Sequence, residues 1–87
     1  ELSYTKAFVS VCNTFVHLAQ KYGKNVGDNQ IKLTITFTQQ EMANLLGITR
    51  VSIANHIKSL VDDGYLGKDD KYFVIKDIDG LFRLIQG

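Results

Sequence analysis

The segment from Thr38 to Leu60, TQQEMANLLGITRVSIANHIKSL, constrains the fold more than any other part of the chain. Thr38 followed three residues later by Glu41 is a capping-box pattern, in which each residue satisfies a backbone donor at the start of a helix. Met42, Leu45 and Leu46 follow at helical spacing and give that helix an apolar face. Ala43 is small, as a close crossing of two helices requires. Gly47 stands where a helix end needs a left-handed residue, the conformation glycine adopts most cheaply. Ile48 turns inward, and Thr49 offers a second N-cap. A second helix then runs from about Arg50 to Val61, with Ile53, Ile57 and Leu60 as its buried stripe. Arg50, Val51, Ser52, Ala54, Asn55, Lys58 and Ser59 are left outward or at the margin. Two short helices joined in this way form a helix-turn-helix. Such a hairpin also occurs in bundles that bind nothing, so the flanking sequence has to decide.

The segments on either side supply the decision. Asp62-Asp63-Gly64 ends the second helix, with Gly64 past its last turn. Tyr65 to Lys68 is a short strand, Asp69-Asp70 a turn, and Lys71 to Ile75 a second strand of aromatic and β-branched residues. A hairpin in this place is a wing. Upstream, Ile31 to Phe37 alternates apolar and polar residues, as a half-buried strand does. Gly23 to Gln30, rich in Gly and Asn, is expected to be the loop before it. At the N-terminal side, Ala7, Phe8, Val11, Cys12, Phe15, Leu18, Ala19 and Tyr22 form the stripe of a long helix. Asp77 caps a last short helix carrying Ile78, Leu81, Phe82 and Ile85, which Gly80 is expected to weaken by about 1 kcal/mol relative to Ala. The predicted fold is a small α+β domain spanning 1–87: helix, strand, helix-turn-helix, β-hairpin wing and short C-terminal helix.

In this order and spacing the chain resembles the C-terminal DNA-binding domain of the Crp/Fnr family of bacterial transcription regulators. The resemblance rests on the strand before the motif, Thr38 with Glu41, Ala43, Leu46-Gly47, Thr49-Arg50, Ser52-Ile53, Gly64-Tyr65-Leu66, and Asp77 with Leu81. It implies a regulator that is a homodimer when full-length, with double-stranded DNA and RNA polymerase as partners. It also implies an N-terminal sensor for a cyclic nucleotide or another small ligand. No such sensor lies in these residues, and none of them is expected to hold a cofactor. Because the chain begins at Glu1, a piece of a longer protein is expected. The family often has Glu at the Val51 position and Arg at the Asn55 position. Both departures argue against carrying the family's common DNA site over to this chain.

Composition sets the outer bounds. At 87 residues the chain has room for one core, burying somewhat more than ~60% of its extended surface. One cysteine excludes a disulfide framework, and Cys12 is expected to be a buried small residue. With no apolar run long enough for a membrane span and no signal-peptide pattern, a cytoplasmic location is expected. His17, His56 and Cys12 make no zinc spacing. There is no phosphate loop or nucleophile elbow, and the aspartates lack calcium-loop spacing. An enzyme is therefore not expected. The net charge of +1 and pI of about 8.1 are weakly basic, so the distribution of charge matters more than its sum.

The candidate interface follows by residue. The second helix is expected in the major groove with its N-terminal turns toward base edges. Arg50 has the reach for a bidentate contact to guanine O6 and N7, worth ~1–3 kcal/mol of discrimination; a phosphate contact is its alternative. Asn55, one turn on, matches adenine N6 and N7 or a phosphate. Val51 packs on a thymine methyl, or has no role. Thr38, Gln40, Thr49 and Ser52 sit at helix N-termini and suit phosphate oxygens, although capping alone accounts equally well for the two threonines. Lys58, Lys68 and Lys71 would neutralise phosphates, with simple solvation as the alternative for each. His56 lies beside the buried stripe, in a structural or phosphate-facing place. A winged helix that binds protein instead of DNA is the competing reading, and it would show an exposed apolar patch in place of a basic face.

Overall fold

Thr5 opens the first helix: its hydroxyl accepts from the Phe8 N–H at 3.1 Å. In this computed structural model, which describes residues 4–87, helix α1 spans Lys6–Tyr22. Its buried residues Phe8, Val11, Cys12, Phe15, Val16 and Ala19 recur every three or four positions and line one face. Burying the valines and phenylalanines among them stabilises by about 1.5–3 kcal/mol each. They meet Leu33, Met42, Ala43, Ile53, Ile57, Leu60, Leu66, Ile75 and Leu81 in a single core. Cys12 lies inside it, fully buried, and burial pushes its thiol up to about 11.

The chain after α1 departs from the sequence reading. Gly23–Gly27 is a strand, β1, rather than a loop, and it pairs antiparallel with β2, Gln30–Leu33. Every residue of β1 is exposed. Its pairing is made by backbone alone, so no alternation of apolar side chains announces it. The connecting turn holds Asn29 at φ 62°, a left-handed conformation that Asn tolerates better than most residues. β2 also ends four residues earlier than the alternation to Phe37 implies. At Thr34 the backbone N–H and the hydroxyl both donate to the Tyr22 carbonyl, at 2.9 and 2.7 Å. That pulls the chain off the ladder toward the end of α1.

The helix-turn-helix forms as the sequence dictates. Helix α2 spans Gln39–Leu46, with both halves of the capping box made. Gly47 closes it at φ 70°, donating its N–H to the Ala43 carbonyl at 2.9 Å. Helix α3 spans Arg50–Asp62 behind the Thr49 cap, and buries Ile53, Ile57 and Leu60. One expectation fails on α2. Leu45 is 72% exposed, while Met42 and Ala43 are buried. The helix has only two turns, and Ala43 takes the position against the core that the stripe gave to Leu45.

Strands β3, Leu66–Asp69, and β4, Tyr72–Ile75, form the wing. Their register pairs Asp69 with Tyr72, so the turn is Asp70-Lys71, one residue later than the aspartate pair suggested. Asp70 takes the positive φ, 58°, and Lys71 belongs to the turn rather than the strand. The wing is not a separate ribbon. β4 also pairs with β2, giving one antiparallel sheet in the order β1-β2-β4-β3. Helix α4, Ile78–Gln86, follows the Asp77 cap and packs beside α1. Gly80 is buried there. A Cβ at this position would come within 2.8 Å of the Tyr65 ring and closer still to the Asp77 carboxylate. Glycine is therefore the residue that lets α4 dock, rather than only a weak point in its helix.

Candidate nucleic-acid interface

The outer surface of α3 is set by what its inner surface buries. With Ile53, Ile57 and Leu60 inward, the 100° step of a helix turns Val51, Asn55, Lys58 and Asp62 directly outward. Val51 is 63% exposed, and Arg50 and Asn55 are exposed as well. Arg50 stands on one margin of that face. Ser52 stands on the other, half-buried, with its Oγ 3.2 Å from His56 Nε2. The His56 ring in turn meets Phe8 of α1 edge-on at 5.5 Å. The three residues assigned to bases are all exposed, Val51 and Asn55 on the outward face and Arg50 at the first position of the helix, nearer the buried stripe, while Ser52 lies on the flank held to α1. His56 is a structural neighbour of the interface through this contact.

Both helix N-termini point unpaired donors outward. Thr38 Oγ1 accepts from Glu41 N–H at 3.0 Å, and Thr49 Oγ1 accepts from Ser52 N–H at 3.1 Å. These caps use the amides at the third helical position. The amides of the first two, Gln39 and Gln40 in α2 and Arg50 and Val51 in α3, have no partner within their helices. Together with the positive end of the helix dipole they make anion-binding ends. Gln40 is exposed, and its Nε2 donates to Asn44 Oδ1 at 2.9 Å.

The structure separates the lysines. Lys58 is engaged by Asp62 one turn on, Nζ to Oδ2 2.8 Å. The hydrogen bond to that carboxylate, then its charge, raise the Lys58 ammonium above its ordinary value. Both partners are largely exposed, so the pair is weak and can open to a phosphate. Lys68 lies opposite Phe73 in the β3–β4 register, and its Nζ sits 4.6 Å from the centre of that ring. Phe73 stacks on Phe37 at 5.5 Å, and Phe37 precedes the Thr38 cap. Lys68 is therefore on the helix side of the wing, in line with the start of α2. Lys71 instead sits 5.6 Å from the Tyr72 ring, and Lys32 approaches the same ring at 5.3 Å. Tyr72 alternates with Phe73 along β4, so this group belongs to the opposite face of the sheet. Sequence reasoning missed Lys32, because only the β2–β4 pairing brings it beside the wing.

Among the described residues no three His, Cys, Asp or Glu side chains gather into a metal-sized group. No helix of the described residues is long and apolar enough to cross a membrane.

Comparison with known proteins places this geometry. The model of the Crp-like helix-turn-helix domain matches residues 10–84. Among solved structures, oxidised CprK in complex with o-chlorophenolacetic acid superposes with a TM-score of 0.83 at 18% identity, over 93% of this chain and 34% of that one. Reduced CprK without ligand gives 0.81 at 19% identity, over 95% and 39%. A variant of CooA from Carboxydothermus hydrogenoformans gives 0.83 at 23% identity, over 94% and 38%. At such identities the likeness is one of fold. The chain spans between 34% and 39% of the length of these three structures. No curated protein matches it.

Proposed function

This chain belongs to the family of Crp-like helix-turn-helix domains, and from that premise we propose that it binds double-stranded DNA sequence-specifically, with α3 in the major groove. The observation that carries this reading is the exposure of Arg50, Val51 and Asn55 in the first two turns of α3, beside two capped helix ends with free amides. Arg50 reads guanine through O6 and N7, Asn55 reads adenine or anchors on a phosphate, and Val51 packs on a thymine methyl. Thr38, Gln40, Thr49 and Ser52 hold phosphates at the helix N-termini, with Lys58, Lys68 and Lys71 neutralising charge.

The relatives support a wider reading. CooA is a CO-dependent transcription factor, and CprK has been solved with o-chlorophenolacetic acid bound. On this reading the chain is the DNA-reading part of a ligand-responsive regulator that works as a homodimer, meets RNA polymerase and is cytoplasmic. Its two half-sites lie about one helical turn apart, ~34 Å.

One observation favours a second reading. Leu45 and Val51 are large apolar residues, 72% and 63% exposed on the helix-turn-helix, as a protein-docking winged helix would have them. The test is fluorescence anisotropy on a duplex selected from a random pool and on a scrambled duplex, at two salt concentrations, for wild type and Arg50→Ala. Tighter binding to the selected duplex, lost in the variant, is the expected result. Absence of binding even at low salt overturns the DNA reading in favour of protein docking.

A further inference from the structure

The outer face of the sheet, turned away from the helices, carries a concentration of positive charge of which the helix-turn-helix reading uses only Lys71. The register aligns Lys24 of β1 with Lys32 of β2, and Lys32 with Val74 of β4. Cross-strand partners share a face, so these form one row across the sheet. Lys76 lies two residues beyond Val74 on the same face. Its side chain runs across Gly67, whose missing Cβ would otherwise meet the Lys76 Cε at 2.5 Å. At the wing tip Lys71 joins them beside Tyr72. Four of the chain's ten Lys and Arg residues thus border one face. Facing them are Asp69, paired with Lys32 at 2.8 Å, and Asp70 in the tip turn. The remaining aspartates lie outside the strands: Asp62 and Asp63 at the end of α3, Asp77 and Asp79 at the start of α4, and Asp28 in the β1–β2 turn. A net charge of only +1 hides this segregation.

The face is open and wettable. Lys24, Lys71 and Lys76 are exposed, and Lys32, Tyr72 and Val74 are half-buried. A shallow hollow of about 340 Å³ lies between Lys24, Lys32, Tyr72 and Asp69. It is continuous with the proposed interface at the wing tip, where Lys68 occupies one face of the β-ribbon and Lys71 and Lys32 the other. Resting on the DNA reading above, we propose that this outer sheet face is a second phosphate-binding surface. It grips the backbone of the duplex that extends past the wing, so that the wing is straddled by DNA rather than merely touching it. The rings of Phe73 and Tyr72 hold the ammonium groups of Lys68 and Lys32 on either side. Asp69 acts as the competitor that a phosphate displaces from Lys32. The contact carries no base information, since lysines on phosphates are indifferent to sequence.

The experiment uses the full chain and two duplexes with the same selected site. One ends at the site, and the other is extended on both sides by a helical turn, ~34 Å. Affinity is measured against salt for wild type, for the triple variant Lys24→Gln/Lys32→Gln/Lys76→Gln, and for Asp69→Asn. Each phosphate neutralised contributes about 0.9 to the slope of log affinity against log salt. On the extended duplex the triple variant is expected to lower that slope by up to about 0.9 per lysine and leave the short duplex unchanged. Asp69→Asn is expected to tighten the extended duplex alone. Thermal melting of each variant separates a binding effect from a folding one, because the altered side chains lie on the surface. Equal slopes for wild type and triple variant on the extended duplex would overturn the proposal, as would equal losses on both duplexes. If wild type fails on the short duplex as well, the α3 reading itself falls, and the surface proposal with it.

Discussion

The helix-turn-helix and the β1–β2 hairpin lie in one domain but are held by different forces. Helices α2 and α3 are fixed by side chains: Met42, Ala43, Ile53, Ile57 and Leu60 enter the core, and Thr38, Glu41 and Thr49 close the caps. Strand β1 contributes no buried side chain. It exists because its backbone finds a partner in β2 and because Gly23 lets the chain leave α1 tightly. The first region is specified by what its residues bury. The second is specified by what its neighbours offer.

The largest break in this comparison comes from the core of α3. Ile53 is completely buried in the core. Ile53→Ala is expected to cost about 2–5 kcal/mol, the range for removing a large aliphatic side chain from a packed core. Urea unfolding followed by far-UV circular dichroism would read it. A loss below ~1 kcal/mol would mean that α3 is held less by its stripe than its burial indicates.

Gly80 sharpens the comparison from the opposite direction. Helix propensity alone expects Gly80→Ala to stabilise by about 1 kcal/mol. The Tyr65 ring and the Asp77 carboxylate occupy the space that the new methyl needs. A net loss of about 1–3 kcal/mol is therefore expected, the usual size for overpacking. A gain in the same unfolding measurement would show that α4 shifts freely against Tyr65.

Thr38→Ala has a smaller effect, about 1 kcal/mol, because it removes an N-cap and half of a capping box. It also bears on function, since Thr38 sits beside free amides at a proposed phosphate site. Thr38→Ser keeps the hydroxyl and is expected to restore stability and DNA affinity together. Rescue of stability without affinity would point to the lost methyl rather than the cap.

These cases show what a sequence displays. Capping boxes, a left-handed glycine and stripes at helical spacing are local, and each appears where the chain places it. The wing is also legible, because Tyr72 to Ile75 is aromatic and β-branched, but its turn is misplaced by one residue. Two adjacent aspartates attract the turn to themselves, while the Asp69–Tyr72 pairing moves it to Asp70-Lys71. Leu45 satisfies the helical period yet remains exposed, since two turns of helix leave only one narrow face against the core. Lys32 and Lys24 could not be placed beside the wing without the β1-β2-β4 pairing. That pairing depends on contacts distant in sequence. The candidate interface on α3 was legible for the same reason as its stripe: residues that a helix does not bury are the ones it presents. Which of the lysines share a face was not legible, because that is a property of the sheet.

The smallest effect tests the hairpin itself. Val26 is the one large apolar side chain of β1, and it is 44% exposed. Val26→Ser removes β-propensity and apolar surface without opening a cavity, so stability should change by no more than ~0.5 kcal/mol. Native-state hydrogen exchange gives the complementary view. Amides of the α3 core should open only with global unfolding, and those of β1 through a smaller local opening that frees the hairpin's outer strand. The same variant should speed exchange in β1 and leave α3 untouched. If β1 amides are protected to the global limit, or if Val26→Ser destabilises as much as a core substitution, the hairpin is held by more than its backbone. The difference drawn between the two regions would then be one of degree.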